Sequence, residues 1–327
     1  MNSYAVKSFS PFSPSPWARN SHLQTIFASL RLRARGDNPM ADCARETIVD
    51  AGGGVRLLGY YSRHEENSRG LVLLLHGWEG SSGSTYILCT GRSLFDSGFD
   101  VFRLNLRDHG GSHRLNEGLF HSARIEEVFN AVREAAALAG QKSFSIVGFS
   151  LGGNFALRVA LRCADTGIPA LKQVIAINPV LDPFKATVAI DTRYSVYRNY
   201  FLKKWKRSLR IKQELFPARY DFGEFFRMDS CMEITERLIP KYSPFRDSTD
   251  YFRTYTLLGD VFQNLSVPVL IVMSEDDPII DATDFKALRG NEKLRISLQR
   301  YGGHCGYLDP FPFGSWSDRM ISASLPG

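Results

Sequence analysis

The chain has 327 residues, 44% of them hydrophobic and 23% charged, with a formal net charge of +6. That balance excludes intrinsic disorder and fits one or two globular domains with a sizeable buried core. The charge is local, because the segment from Asp191 to Lys212 holds eight basic residues and one acid and leaves the remainder close to neutral.

Residues 1–43 hold Pro11, Pro14, Pro16 and Pro39 and no apolar run of signal-peptide length, so they read as an extended arm lying on the main body. Glu46–Asp50 and Val55–Tyr61 flank Ala51-Gly52-Gly53-Gly54, the pattern of a hairpin. Short apolar runs follow at Leu71–Leu75, Val101–Leu106, Phe144–Val147, Val174–Ile177, Val269–Met273 and Leu294–Leu298. Helical stretches such as Ser122–Ala139 and Leu151–Cys163 lie between several of them, which predicts a mostly parallel sheet covered by helices on both faces.

The alternation breaks between Asp182 and Leu265, a stretch rich in Tyr, Phe, Arg and Lys that reads as an inserted helical cap. Three parts follow: an arm over 1–43, a core made of 44–181 and 266–327, and a cap over 182–265. Inside the cap Tyr194, Tyr197, Phe201, Trp205 and Leu209 recur at helical spacing, with Lys203, Lys206, Arg207 and Arg210 on the opposite face. A solvated basic face over a packed stripe is the first reading of that helix, and contact with a membrane surface is the second. Nucleic acid is not expected, because the aromatic residues form a packing stripe and no recognition module accompanies them. No apolar run approaches the ~20 residues that span a bilayer, and the chain reads as cytoplasmic.

Gly148-Phe149-Ser150-Leu151-Gly152 has the G-x-S-x-G form, placed between the strand candidate Phe144–Val147 and the helix candidate Leu151–Cys163. A nucleophile elbow needs that strand–turn–helix setting, with Gly148 and Gly152 allowing the tight turn while Ser150 is held at its tip. A serine hydroxyl is a weak nucleophile at neutral pH and needs a base, which in turn needs an acid to orient it. In the chain order Ser, acid, His, Asp277 follows the strand candidate Val269–Met273, with Asp276 as its close rival and Asp182 as a weaker one. His304, in Gly302-Gly303-His304-Cys305-Gly306, is the only histidine downstream and is read as the base. The backbone N–H groups of Leu151 and Trp78 are the candidate oxyanion donors, each typically worth ~3 kcal/mol in the transition state.

No metal site is expected. His109 and His113 are four residues apart, but Gly110-Gly111 between them argues for a loop rather than the helix that zinc would need at that spacing. Cys43, Cys89, Cys163, Cys231 and Cys305 form no C-x-x-C pair and read as free thiols, with Cys305 a small filler beside His304 and His76 a structural residue of its loop.

With those residues in place the chain resembles the YheT-like branch of the α/β-hydrolase superfamily. The likeness rests on Phe12-Ser13-Pro14 through Trp17-Ala18-Arg19-Asn20-Ser21-His22-Leu23-Gln24-Thr25-Ile26, an entry ending in His-x-Gln-Thr, and on Leu75-His76-Gly77-Trp78-Glu79-Gly80-Ser81-Ser82. It implies an α/β-hydrolase fold with an inserted cap and cofactor-free hydrolysis of acyl esters. Two departures stand out: Arg107-Asp108-His109 replaces the usual Arg-Gly step, and the usual His-Gly-Gly-His is kept only as Gly302-Gly303-His304-Cys305. An acyltransferase using the same three residues is the alternative reading, and a non-catalytic binding module is a remoter one.

Overall fold

In the computed structural model, which describes residues 10–326, the apolar runs assemble into one sheet. Its strands are β1 (Arg45–Asp50), β2 (Arg56–Ser62), β3 (Leu71–Leu75), β4 (Asp100–Leu104), β5 (Phe144–Phe149), β6 (Leu171–Ile177), β7 (Val269–Ser274) and β8 (Leu294–Gln299). They lie in the order β1-β2-β4-β3-β5-β6-β7-β8. β2 is antiparallel to both its neighbours, and every other pairing is parallel, so β2 is the one reversed strand.

Successive residues of a strand point to opposite faces, and in the central strands β3, β4 and β5 both faces are dry. Leu71, Leu73 and Leu75 enter one buried cluster, while Val72 and Leu74 enter the other. That is why these strands read as unbroken apolar runs rather than as alternating ones.

The helices, in chain order, begin with α1 (Ser21–Ala28), α2 (Pro39–Asp42), α3 (Thr85–Asp96), α4 (Ile125–Ala137) and α5 (Leu151–Arg162). Between β6 and β7 lie α6 (Pro183–Thr192), α7 (Ser195–Leu215), α8 (Cys231–Tyr242) and α9 (Ser248–Arg253), followed after β7 by α10 (Thr283–Lys286) and at the end by α11 (Trp316–Ser324). Local chemistry sets several starts. Asp182 accepts from Lys185 N with Pro183 in the first turn of α6, and Ser230 accepts from Glu233 N at the start of α8. Among the described residues no helix is long and apolar enough to cross a membrane.

The arm differs from expectation. Its first nine residues lie outside the described ones, and the rest is not extended but folded into short turns of helix at Pro16–Ala18, α1, Arg31–Ala34 and α2. Pro16 and Pro39 open helical turns, where a missing N–H is harmless, and Asn20 and Asn38 cap α1 and α2. The arm is tied down by long-range bonds: Phe12 N donates to Gln299 Oε1 at 2.7 Å, and Leu308 N donates to Gln24 Oε1 at 2.7 Å.

α7 is the longest helix among the described residues. It buries Tyr197, Leu202, Leu209 and, unexpectedly, Lys212, and it exposes Lys203, Arg207 and Arg210. Tyr194, the first residue of the predicted stripe, precedes the helix and is exposed. The Lys212 Nζ spends its three hydrogens inside, on Asp108 Oδ1 at 2.8 Å, Asn116 O at 2.5 Å and His113 O at 3.3 Å. Asp108 has φ +59°, a left-handed conformation natural to glycine, so its carboxylate explains its presence at a position whose backbone favours Gly.

Candidate active site

β5 ends at Phe149, α5 begins at Leu151, and Ser150 between them takes φ +52° and ψ −119°. This is a conformation that costs of order 1–3 kcal/mol and survives only when its surroundings enforce it. The enforcement is visible in the two glycines. A Cβ on Gly148 would overlap the Gly152 carbonyl, and a Cβ on Gly152 would overlap the carbonyl of Leu75 in β3.

β7 delivers Asp277 to a turn in which its carboxylate meets four donors. Oδ1 accepts from Ile279 N at 2.8 Å and Ile280 N at 3.0 Å, and Oδ2 accepts from Asn178 Nδ2 at 2.7 Å and lies 2.8 Å from His304 Nδ1. On the far side of the same ring, His304 Nε2 lies 2.9 Å from Ser150 Oγ. With the ring proton on Nδ1, donated to Asp277, Nε2 is free to accept from the serine hydroxyl.

The rival acids have other partners. Asp276 Oδ1 accepts from Gly303 N at 2.8 Å, which shapes the histidine loop, and burial pushes its carboxyl up from the usual range. Asp182 caps α6.

Residues to which the sequence assigned no role complete the arrangement. Asn178, at the end of β6 with φ +43°, bonds Asp277 through Nδ2 and accepts from Tyr307 Oη at 2.7 Å. Thr25 Oγ1 accepts from His304 N at 2.8 Å, and Gln24, fully buried, also donates to Ala18 O at 2.7 Å. His22 Nδ1 lies 2.8 Å from Tyr197 Oη on α7. The His-x-Gln-Thr segment therefore clasps the His304 loop on one side and α7 on the other, a role that no local pattern announces.

Leu151 is the first residue of α5, and its N–H has no intrahelical acceptor. Among the described residues no hydrogen bond engages the Trp78 N–H. The Trp78 loop is held by its neighbours: Gly77 N donates to Tyr86 Oη at 2.9 Å and Glu79 N to His109 Nε2 at 3.2 Å. Behind it His76 accepts from Leu106 N through Nε2 at 3.1 Å and donates to Gly77 O through Nδ1 at 2.8 Å. Burial, then the neighbouring His109, pushes His76 down to about 3, and burial lowers His109 to about 4, so both are neutral spacers at pH 7. Among the described residues no group of three or more His, Cys, Asp or Glu side chains is placed to hold a metal. Burial raises the Cys305 thiol well above its ordinary value.

Two cavities meet at Ser150, His304 and Trp78. The inner one, about 90 Å³, is walled mostly by buried side chains such as Ile190, Leu238, Ile239, Phe252 and Ile279. The outer one, about 610 Å³, runs between the arm, the Trp78 loop and the start of α7, past Ile26, Leu30, Val196, Tyr200 and Lys204. Phe201 and Trp205 of α7 pack on Trp78 with ring centroids 5.0 and 5.1 Å away, at the border of the two.

A mostly parallel sheet with one reversed strand, a strained serine after β5, a carboxylate after β7 and a histidine after β8 define an α/β-hydrolase. The family model described as the alpha/beta hydrolase fold matches residues 70–296, and the chain belongs to that family. It is 23% identical over 301 residues to the putative esterase YheT of Escherichia coli, covering 91% of this chain and 87% of that protein, which bears out the YheT-like branch. It is 22% identical over 308 residues to phospholipase ABHD3 of Bos taurus, covering 91% of this chain and 73% of that protein. Among solved structures, the esterase Pf2001 of Pyrococcus furiosus superposes with a TM-score of 0.54 at 14% identity, over 89% of this chain and 96% of that one, a likeness of fold.

Proposed function

We propose that the protein is a serine hydrolase of carboxylic esters in which Ser150, His304 and Asp277 act as a catalytic triad. The observation that carries this is the continuous relay from Ser150 Oγ to His304 Nε2 at 2.9 Å and from His304 Nδ1 to Asp277 Oδ2 at 2.8 Å, with the serine on a strained turn. The similarity to proteins named esterase and phospholipase supports the same chemistry.

In this reading His304 Nε2 takes the Ser150 proton as Oγ bonds to the ester carbonyl carbon, and the Trp78 and Leu151 N–H groups stabilise the oxyanion. The carbon–oxygen bond to the alcohol then breaks, and His304 passes its proton to the departing oxygen. Water, deprotonated by His304, attacks the acyl carbon, and the acid leaves as Ser150 recovers its proton. Asp277 holds the ring in the tautomer this sequence requires. The four helices between β6 and β7 serve as the cap, and the buried walls of the inner cavity fit an acyl group. The outer cleft gives the alcohol its exit, or an acceptor alcohol its seat if acyl transfer competes with hydrolysis.

A fluorophosphonate probe tests the reading without knowledge of the substrate. Labelling mapped to Ser150, absent in Ser150→Ala and strongly reduced in His304→Ala, is the expected result. A well-folded protein that takes no label at Ser150 contradicts it. Product analysis of an ester substrate with added alcohols separates hydrolysis, which yields the free acid, from transfer, which yields a new ester.

A further inference from the structure

Two stretches of this chain contain no acidic residue, and the fold brings them to the same place. The described part of the arm up to Gly36 carries Arg19, Arg31, Arg33 and Arg35 with no Asp or Glu, and Thr192–Gln213 carries eight basic residues with none. Large apolar side chains on the same two segments are exposed to water: Leu23, Ile26, Leu30 and Leu32 at 47% on the arm, and Tyr194, Val196 at 55% and Tyr200 beside them at the entry to α7. The two sets form one surface. Ile26, Leu30, Val196 and Tyr200 line the outer cleft together, and the His22 ring lies 4.4 Å from that of Tyr194. Along α7 the exposed face continues from Val196 and Tyr200 to Lys203 and Arg207 at helical spacing, apolar beside the cleft and basic beyond it.

We propose that this rim is a docking surface for an anionic lipid bilayer, seated so that the mouth of the outer cleft opens onto the membrane. Apolar groups around the mouth gain by leaving water for the acyl boundary. Arginine and lysine heads around them gain from the negative surface potential, each by an amount that salt screens. An acidic protein would satisfy the charges but leave the apolar side chains unmatched, whereas an anionic bilayer answers both. The sense given to the docking, substrate reaching Ser150 from the lipid side, rests on the hydrolase reading, while the binding itself does not.

Sedimentation of the full chain with vesicles of phosphatidylcholine, with and without phosphatidylglycerol, reads the binding directly. The protein is expected to pellet with the anionic vesicles at low salt and to be released as salt rises. Leu32→Asp/Arg35→Glu and Lys203→Glu/Arg207→Glu, none of which lines either cavity at Ser150, are each expected to weaken binding at least about tenfold. Both should leave turnover of a water-soluble short ester unchanged. Failure of the wild type to pellet at low salt overturns the proposal, as does equal binding by the double variants. Capture by soluble heparin without capture by vesicles overturns it too, because the surface then recognises charge alone. Vesicle binding by a protein that takes no fluorophosphonate at Ser150 would keep the docking and remove the hydrolase, so the two failures are distinguishable.

Discussion

At the level of single residues, the most telling positions are those that touch the reacting groups through another side chain. Asn178 bonds the oxygen of Asp277 that faces His304, and Thr25 accepts the backbone N–H of His304 itself. Thr25→Val removes that acceptor and keeps the shape, so a fall of about tenfold in kcat with KM nearly unchanged is expected, restored by Thr25→Ser. Asn178→Ala removes one of the four donors on Asp277 and leaves the buried Tyr307 hydroxyl without its acceptor, and is expected to lower kcat/KM by up to about a hundredfold with a shifted pH profile, and to lower the thermal midpoint as well. Steady-state kinetics across pH on the two variants checks both. None of this was legible in the sequence, because Asn178 and Asp277 are 99 residues apart and Thr25 and His304 are 279 apart, with no local pattern linking them. Ser150 and His304 stood out because a turn that holds a serine needs glycines around it. The choice between adjacent Asp276 and Asp277 depended on which way a turn rotates, a matter of backbone geometry, and the structure gives Asp277 the histidine and Asp276 the Gly303 N–H.

Among the elements, α7 is the one whose role was least foreseeable. Its stripe of aromatic residues was readable, but Lys212, on a helix rich in exposed bases, is fully buried against Asp108. Removing one partner strands a buried charge, and Lys212→Met is expected to lose about 3–5 kcal/mol of stability. Adding Asp108→Gly to it removes the stranded carboxylate and suits the left-handed backbone, so most of that loss is expected to return. Urea denaturation of the single and double variants measures the coupling, and additive losses would refute it. The central strands were legible for the opposite reason: β3, β4 and β5 are buried along their whole length, so an apolar run marks a strand there, whereas β8 is partly exposed and β6 begins three residues before its apolar run. The arm was misread because its prolines suggested extension, although two of them start helical turns.

On the scale of the molecule, the buried imidazoles set a pH limit. His76, His109 and His121 are pushed down to about 3, about 4 and about 3, first of all by burial, so the folded protein keeps them neutral where the unfolded chain protonates them. The unfolded state then binds more protons between about pH 6.5 and 4, and stability falls as pH drops through that window by several kcal/mol in total. His121 Nδ1 is buried with no partner among the described residues, so His121→Leu is expected to flatten the decline and to hold or raise stability at pH 7. Denaturant midpoints from pH 7 to 4.5 test the slope in both proteins.

The clasp formed by the arm has a consequence for synthesis. Phe12, Gln24 and Thr25 bond to Gln299, Leu308 and His304, so residues that leave the ribosome before the sheet wait for residues that leave at its end. Contacts of such long sequence separation form late, after the sheet that carries Ser150 and Asp277 has paired. A nascent chain holding a finished Ser150 turn therefore still lacks His304, while the arm that steadies His304 waits unpaired, and on the triad reading its chemistry is withheld until the eighth strand and the loop beyond it have emerged.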